Sequence, residues 1–312
     1  TPNAGSIQNY GQITTPSGGS VYLVAPNVEN HGVINAPGGE VLLAAGQTVQ
    51  LVDTGTPGVK VEITGAEGSA TNLGEIVSEA GRIGLAGVLV KNNGTLNASS
   101  LVKEGGRVFL KASQDAYVDG AGRIVTTGTK GGSIEVLGNR VAVMDQAQLD
   151  ASGSAGGGTV LVGGDFQGKN PEVQNASVTY FGPQASIKAD ATQNGDGGKV
   201  IVWADDTTRA FGSISAKGGM QSGDGGFVET SGHRNLDVSG IRVNASATHG
   251  KSGEWLLDPS SILISHYGEP GTTIPGGIFD PLASTGTVLD ADINATLDIG
   301  TDVTIQTSAG LD

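Results

Sequence analysis

The sequence is dominated by one recurring pattern, a Gly-Gly pair followed by a variable residue and then by alternating aliphatic residues. Successive copies are mostly 20 to 28 residues apart, and two intervals are close to 40 residues. No apolar series with helical spacing persists between the copies, so each copy supplies short strands bounded by turns. A period in the twenties without helices predicts a solenoid in which each turn consists of two or three strands. The copies begin at Gly18, Gly38, Ala80, Gly105, Gly131, Gly157, Gly197 and Gly225.

A second pattern, Asn-x-Gly between aliphatic residues, alternates with the first. Its asparagines are Asn9, Asn30, Asn72 and Asn92, and a fifth copy carries Gly120 at the aligned position. Because Asn and Gly tolerate a left-handed backbone better than other residues, we expect a positive φ at this position. We also expect a ladder in which each Asn amide bonds the amide of the next turn. A set of independent, exposed Asn corners is the alternative.

The predicted architecture follows from the small size of each turn. One turn buries too little apolar surface to offset the loss of chain entropy, roughly 1–2 kcal/mol per ordered residue. Only stacking on neighbouring turns, about 4.8 Å away, pairs the strands and covers their aliphatic side chains. The chain is therefore predicted to be all-β, a right-handed single-stranded parallel β-helix with about nine turns and a length on the order of 40 Å.

The β-helix is predicted over residues 1–253. Within its first long interval, extra strands are expected at residues 49–52 and 59–63, lying outside the helix. Residues 254–312 are predicted to begin with a boundary element that ends at Pro259, followed by a loop containing several prolines and then by resumed coils. These resumed coils are expected at residues 288–289, 297–299 and 303–305.

Composition narrows the function classes. Lys and Arg total 17 against 31 Asp and Glu, which gives a net charge of −14 and repels nucleic acid. Aromatic residues make up only 4%, which is poor for a ligand pocket, and the absence of Cys excludes disulfides and thiolate metal sites. No apolar run approaches the roughly 20 residues of a membrane span. The N-terminal residues are unlike a signal peptide, so we expect a segment of a longer precursor.

Three stretches of the sequence carry a family resemblance: residues 157–168, 196–204 and 253–260. They resemble the filamentous haemagglutinin family, the large exoproteins of two-partner secretion. The last stretch reads Gly-Glu-Trp-Leu-Leu-Asp-Pro-Ser and is similar to a Gly-x-x-Leu-Leu-Asp-Pro element of that family. The resemblance implies structural roles for four residues of these stretches. They are Trp203, Trp255, Asp258 and Pro259.

The same resemblance implies a function. Family members are right-handed β-helices that are exported through an outer-membrane transporter partner and act outside the cell. The chain is therefore expected to be the shaft of a secreted bacterial surface adhesin, with a host-cell or matrix carbohydrate or protein as receptor. Attachment, aggregation, biofilm-matrix formation and end-to-end association into filaments are the expected activities. Only Thr1-Pro2-Asn3 stands where the family has Asn-Pro-Asn motifs, which indicates the latter part of an export domain plus the start of the shaft.

The rival function is a carbohydrate-binding or carbohydrate-cleaving β-helix. Asp205 and Asp206 follow Trp203 closely and precede Arg209, and paired carboxylates beside an aromatic residue are typical of such sites. Asp is equally common in turns, where it makes local hydrogen bonds. We expect the structural role for these residues, no enzymatic activity and no cofactor.

No metal site is predicted. One loop carries Asp190, Asn194 and Asp196, which offer oxygen ligands for Ca²⁺, but it lacks the dense Asp repeat of calcium-binding β-rolls, so turn stabilisation is favoured. The histidines are far apart in the sequence, which indicates exposed turns rather than a shared metal ion. They are His31, His233, His249 and His266.

Overall fold

The computed structural model describes residues 5–53, 59–64, 66–267, 277–279 and 286–307. The strands are short, and almost all of them pair in parallel with the equivalent strand of the neighbouring coil. The chain folds into the predicted right-handed parallel β-helix, with a pair of strands outside it. Within the described residues, no helix combines the length and the apolar character that a membrane span requires.

Each coil contributes one strand to each of three stacks. Two long strands, β11 (Arg82–Asn92) and β13 (Arg107–Val118), run through both the first and the second stack. The other strands of the first stack are β3 (Val21–Ala25), β6 (Glu40–Ala45), β15 (Ser133–Leu137), β18 (Thr159–Val162), β21 (Lys199–Ala204), β24 (Phe227–Gly232), β27 (Glu254–Leu257) and β30 (Asp302–Ile305). Those of the second stack are β1 (Ile7–Asn9), β4 (Asn27–Asn30), β9 (Ser69–Asn72), β16 (Arg140–Val143), β19 (Val178–Phe181), β22 (Thr207–Ala210) and β25 (Asn235–Asp237).

The third stack is a separate sheet of nine short strands. They are β2 (Gln12–Thr14), β5 (Val33–Asn35), β10 (Glu75–Val77), β12 (Thr95–Asn97), β14 (Arg123–Val125), β17 (Gln148–Asp150), β20 (Ser186–Lys188), β23 (Ser213–Ser215) and β26 (Arg242–Asn244).

Inward-facing aliphatic side chains form columns along the axis. In the first stack, Val108, Ile134 and Val160 lie over one another on successive coils, and all three are fully buried. Ile124 and Leu149 do the same in the third stack. Burying each such side chain contributes roughly 1.5–3 kcal/mol. Because each residue is covered by the coils above and below it, the core exists only in the stack.

Glycine columns explain the recurring Gly-Gly pattern. The second glycine of each pair lies directly over its equivalent in the previous coil, so a side chain on Gly132 would collide with the carbonyl oxygen of Gly106. From Gly105 onward, the first glycine approaches the chain of the next coil equally closely, as Gly131 does at the carbonyl oxygen of Ala151. Only a residue without Cβ permits this approach. The Gly-Gly pair therefore fixes the corner at which the chain enters the first stack.

Among the described residues, two excursions leave the corner between the first and second stacks. β7 (Thr48–Asp53) and β8 (Val59–Thr64) form an antiparallel pair outside the helix, which confirms the predicted extra strands. The second excursion is residues 163–177, which join β18 to β19 and contain a 3-10 turn at Phe166–Gly168. These excursions occupy the two long intervals of the Gly-Gly pattern.

The stack continues beyond residue 253. β27 pairs in register with β24, and β30 pairs with β27. Two further strands, β28 (Ile262–Ser265) and β29 (Gly286–Leu289), lie between β27 and β30 in the sequence. β29 pairs with both β25 and β28, so the later strand is inserted between two earlier ones. A domain boundary near residue 253 stays a prediction.

The prediction of a strand at residues 297–299 is wrong. Asp290–Asp298 form the helix α1, which contacts β26, β29 and β30. Asp290 and Asp292 lie in its first turn, where negative side chains interact favourably with the helix dipole. Thr296 is buried, so this short helix covers the end of the third stack where another strand was expected. The strands expected at residues 288–289 and 303–305 lie within β29 and β30.

Candidate functional site

The four asparagines of the Asn-x-Gly pattern lie over one another on successive coils of the second stack. The Nδ2 of Asn9 donates to the Oδ1 of Asn30 at 2.8 Å, Asn30 donates to Asn72 at 2.9 Å, and Asn72 donates to Asn92 at 2.8 Å. Asn30, Asn72 and Asn92 are fully buried. Each of these three also donates to the carbonyl oxygen of the glycine two residues later. The result is a continuous row of bonded amides inside the helix, which we name the Asn ladder.

The expectation of a positive φ at the asparagines is wrong. Among the described residues other than glycine, positive φ occurs only at Ala80, Asp145 and Gln167. Asn stands at these corners for its side chain, which bonds both the next coil and its own turn.

The prediction that Gly120 takes the place of the asparagine in the fifth copy is also wrong. The strand register pairs Asn92 with Val118 and Thr95 with Arg123, so the later corner is two residues longer. Gly120, with φ of 58°, lies in that longer corner and not in the ladder. The residue that follows Asn92 in the column is therefore apolar.

A second cluster surrounds residues 163–177, which we call the 163–177 loop. It lies against Trp203, whose exposed fraction is 3%. Gly164 and Gly168 of the loop pack so closely on the indole that a side chain at either position would meet it. The indole Nε1 donates to the Oδ1 of Asp205 at 3.0 Å, and Asn175 of the loop donates to the same oxygen at 3.0 Å. Trp203 and Asp205 thus hold the loop in place.

The start of the loop is fixed by charge and by aromatic contact. The Oδ1 of Asp165 accepts from Lys199 Nζ at 2.6 Å, and its Oδ2 accepts from Asn170 at 2.8 Å. Burial opposes ionisation of Asp165, but these donors outweigh it and hold the pKa of the carboxyl below its usual value. The rings of Phe166 and Phe227 lie 5.7 Å apart in an edge-to-face arrangement.

Asp258 joins the loop to the last coils. Its Oδ2 accepts from the side-chain amide of Gln167 at 2.7 Å and from that of Gln306 at 2.9 Å. Its backbone N–H donates to the hydroxyl of Ser231 at 3.0 Å, and its exposed fraction is 1%. The Asp of the Leu-Leu-Asp-Pro element therefore connects three separate parts of the chain.

Glu229 completes the cluster. It is fully buried, and its Oε2 accepts from the backbone N–H of Gln167 at 3.1 Å. Burial raises the pKa of Glu229 to about 7, and the negative charges of Asp258 and Asp165 act in the same direction. Its Oε1 has no hydrogen-bond partner within the described part of the chain. We call Asp165, Gln167, Glu229 and Asp258 the loop clamp.

The other two residues of the boundary element are buried. The indole Nε1 of Trp255 donates to the hydroxyl of Thr230 at 2.9 Å, and the ring lies in the core. Pro259 follows Asp258 and is buried as well. Both belong to the packing of the stack beneath the clamp.

The residues of the rival carbohydrate site do not line one open cleft. Trp203 and Asp205 are held under the loop, whereas Asp206 lies 3.9 Å from the guanidinium of Arg234. Arg209 is buried and donates to the carbonyl oxygen of Ile278 at 3.2 Å.

The candidate metal ligands have local partners. Asp190 accepts from the backbone N–H of Lys217, and Asp196 accepts from that of Asp224, as residues that stabilise turns do. No three carboxylate or histidine side chains are arranged around a common point in the described ranges. The histidines stay apart. His31 contacts Glu29 and Tyr10, His233 lies near Trp203, and His266 pairs with Asp290.

Comparison with known proteins assigns the family. No family model and no curated protein matches the sequence. Among solved structures, the chain is similar to the crystal structure of the HMW1 secretion domain from Haemophilus influenzae. The two have a TM-score of 0.71 and 34% identity, over 82% of this chain and 67% of that one. The chain belongs to the two-partner secretion exoproteins. This supports the resemblance noted in the sequence at the level of two-partner secretion and does not single out filamentous haemagglutinin.

Membership among the two-partner secretion exoproteins implies a transporter partner during export. The sequence patterns of this exoprotein point to the ladder, Trp203 and Asp258, but not to Glu229, Gln167 or Gln306. Glu229 occupies the position held by Leu161 and Ile201 in the two preceding coils. An acidic residue at a position that is otherwise aliphatic is a sequence signal of an unusual site. The sequence does not show that the 163–177 loop covers this position.

Proposed function

We propose that this two-partner secretion exoprotein segment is the structural shaft of a secreted bacterial surface adhesin, acting in attachment, aggregation or biofilm-matrix formation. The observation that carries the proposal is the similarity to the HMW1 secretion domain over 82% of the chain. The regular stack supports it, because a solenoid built of equivalent coils spans distance with little sequence information. The clamped loop over Trp203 disfavours the carbohydrate-cleaving alternative.

Export by a transporter partner is the first part of the proposal to test. We would direct the chain to the periplasm with a removable signal peptide, with and without the transporter partner of the HMW1 exoprotein, and measure the chain in the medium. Release that depends on the transporter supports the proposal. Equal amounts in both media, with intact cells, contradict a role in two-partner export.

Attachment is tested separately. Beads carrying the purified chain are compared with beads carrying a heat-unfolded sample for adherence to cultured epithelial cells. Selective adherence of the folded sample supports the adhesin function, and prior treatment of the cells with glycosidase or protease tells a carbohydrate receptor from a protein receptor. If both bead types adhere equally, the shaft has no adhesive activity of its own.

Self-association is the last part. Parallel strand edges accept further strands unless they are covered, and this is the basis for end-to-end contact between copies. Sedimentation velocity over a range of concentrations, followed by electron microscopy, distinguishes monomers from filaments. Monomers at every concentration would remove filament formation from the proposal.

A further inference from the structure

The 163–177 loop covers an apolar strip on the outer face of the first stack. Leu161, Ile201 and Trp203 point outward from β18 and β21, yet their exposed fractions are 6%, 0% and 3%. They form one cluster with Val173 of the loop and Phe227. The loop therefore keeps from water a surface that a plain β-helix would expose.

Glu229 is the next outward-facing residue in the same column. The register places it directly after Ile201 and before Leu256, so its carboxyl group enters an apolar strip. The loop approaches it through the backbone N–H of Gln167, a residue with φ of 52°. The Oε1 of Glu229 is buried and lacks a hydrogen-bond partner among the described residues.

The charges around Glu229 make its ionised form unfavourable. Asp258 and Asp165 are the acidic groups that act on it, one from the end of β27 and one from the loop. The nearby cation Lys199 is bound to Asp165. The other titratable groups beside the loop are Lys169, which donates to the Oε1 of Gln167, and His233, which lies near Trp203. Ser231 on β24 is uncharged, and its hydrogen bond, like that of the Gln167 backbone N–H, lowers the pKa of Glu229 without outweighing burial.

The position of the carboxyl therefore couples its proton to the loop. A neutral Glu229 tolerates the apolar strip and the adjacent carboxylates. An ionised Glu229 adds a buried negative charge that the donors Gln167 and Ser231 offset only in part, and no cation pairs with it within the described structure. Water gains access most readily if the loop lifts from the strip.

We propose that the 163–177 loop is a proton-operated latch, closed over Trp203 when Glu229 carries a proton and released when Glu229 ionises. The latch is independent of the proposed adhesin function, since it depends only on contacts within the chain. Release uncovers Ile201 and Trp203, and closure hides them again.

The two tryptophans allow a direct test. Trp255 lies in the core and Trp203 under the loop, so a Trp255→Phe variant reports on the loop alone. We would record the emission maximum and acrylamide quenching of Trp203 in full-length chain from about pH 5 to about pH 9, a range around the usual pKa values of carboxyl and imidazole groups. The expected result is a red shift and stronger quenching with a midpoint near pH 7. The variant Glu229→Gln in the same background should stay quenching-resistant across the whole range.

Controls separate the latch from general effects. Glu75→Gln removes an exposed carboxylate on the third stack and should leave the midpoint unchanged. If Trp255→Phe does not fold, hydrogen exchange at the backbone N–H of Gln167 in otherwise unaltered chain provides the same readout. A transition that survives in Glu229→Gln, or no transition in the parent, overturns the proposal. Reclosure by added Ca²⁺ at high pH, lost in Glu229→Gln, would also overturn it by making the cluster a cation site.

Discussion

The early and late coils of this two-partner secretion exoprotein fill the same column of the second stack in opposite ways. From Asn9 to Asn92 the column is a ladder of amides, each bonded to the next. From Val118 onward it is apolar, continuing through Val143 and Phe181. Amides bond only at one spacing and in one register, whereas apolar side chains of different size pack adequately. The comparison indicates that stacking of the early coils depends on the register of their amide side chains. Stacking of the late coils depends on how well their apolar side chains fill the available volume.

The largest effect is expected from a substitution at Gly94, in the corner that supports the ladder. A side chain at Gly94 would meet the carbonyl oxygen of Gly74 and the Nδ2 of Asn72. Gly94→Ala should lower the free energy of unfolding by about 3 kcal/mol or more, because backbone and ladder must both shift. Gly11→Ala is the matched control, since its nearest neighbour is the Oδ1 of Asn9 at 3.7 Å. Urea unfolding followed by circular dichroism measures both, and equal losses would contradict the role of close stacking.

A smaller effect is expected within the ladder itself. Asn72→Ala removes the partner of both Asn30 and Asn92 and leaves two buried amide groups with unmet bonds. We expect a loss of about 2–4 kcal/mol, since each unmet buried group costs about 1–3 kcal/mol. Val143→Ala, at the equivalent apolar position, should cost about 1–2 kcal/mol. If the two variants unfold at the same urea concentration, the ladder contributes nothing beyond volume.

pH distinguishes the two regions next, because the ladder contains no ionisable group and the loop clamp does. The pKa of Glu229 in the folded chain, about 7, lies above its usual value of 4.5, so protonation favours the folded form. The stabilisation is complete below about pH 4.5 and is lost as the pH rises through about 7. At about 1.4 kcal/mol per pKa unit the loss is at most about 3.5 kcal/mol, and less if the loop opens first.

Hydrogen exchange measured at two pH values locates this loss. Protection should fall around the 163–177 loop and stay constant around Asn72. Uniform loss of protection along the chain would show that the pH effect does not arise at the clamp.

The smallest effect on stability is expected from exposed ion pairs between neighbouring coils. Arg140 makes two hydrogen bonds of 2.7 Å to Asp115 of the previous coil, but its side chain is 43% exposed. Arg140→Gln should therefore cost only about 0.5–1 kcal/mol, in contrast to the buried ladder. Thermal unfolding in low and high salt measures this loss of stability. A loss as large as that of Asn72→Ala would contradict the conclusion that the interior contacts stabilise the coils more than the exposed ion pairs.

Much of this molecule is predictable because the repeat determines it. The Gly-Gly and Asn-x-Gly patterns predicted the coils and the row of amides, since each copy must sit over the previous one. Residues outside the repeat were harder. The short helix at Asp290–Asp298 has a weak apolar face, so its sequence does not distinguish it from a strand. Glu135 and Glu229 occupy equivalent positions of the pattern, yet Glu135 pairs with Arg107 near the surface and Glu229 lies under the loop. Only tertiary structure distinguishes two such residues.

The position of the excursions gives the rod a front and a back. The β7–β8 pair and the 163–177 loop both depart from the corner between the first and second stacks. At the corner that enters the first stack, the glycine columns leave no room for side chains. The two excursions therefore project from the same side of the described coils. A row of attachments facing one way along a stiff rod gives it a defined orientation around its long axis.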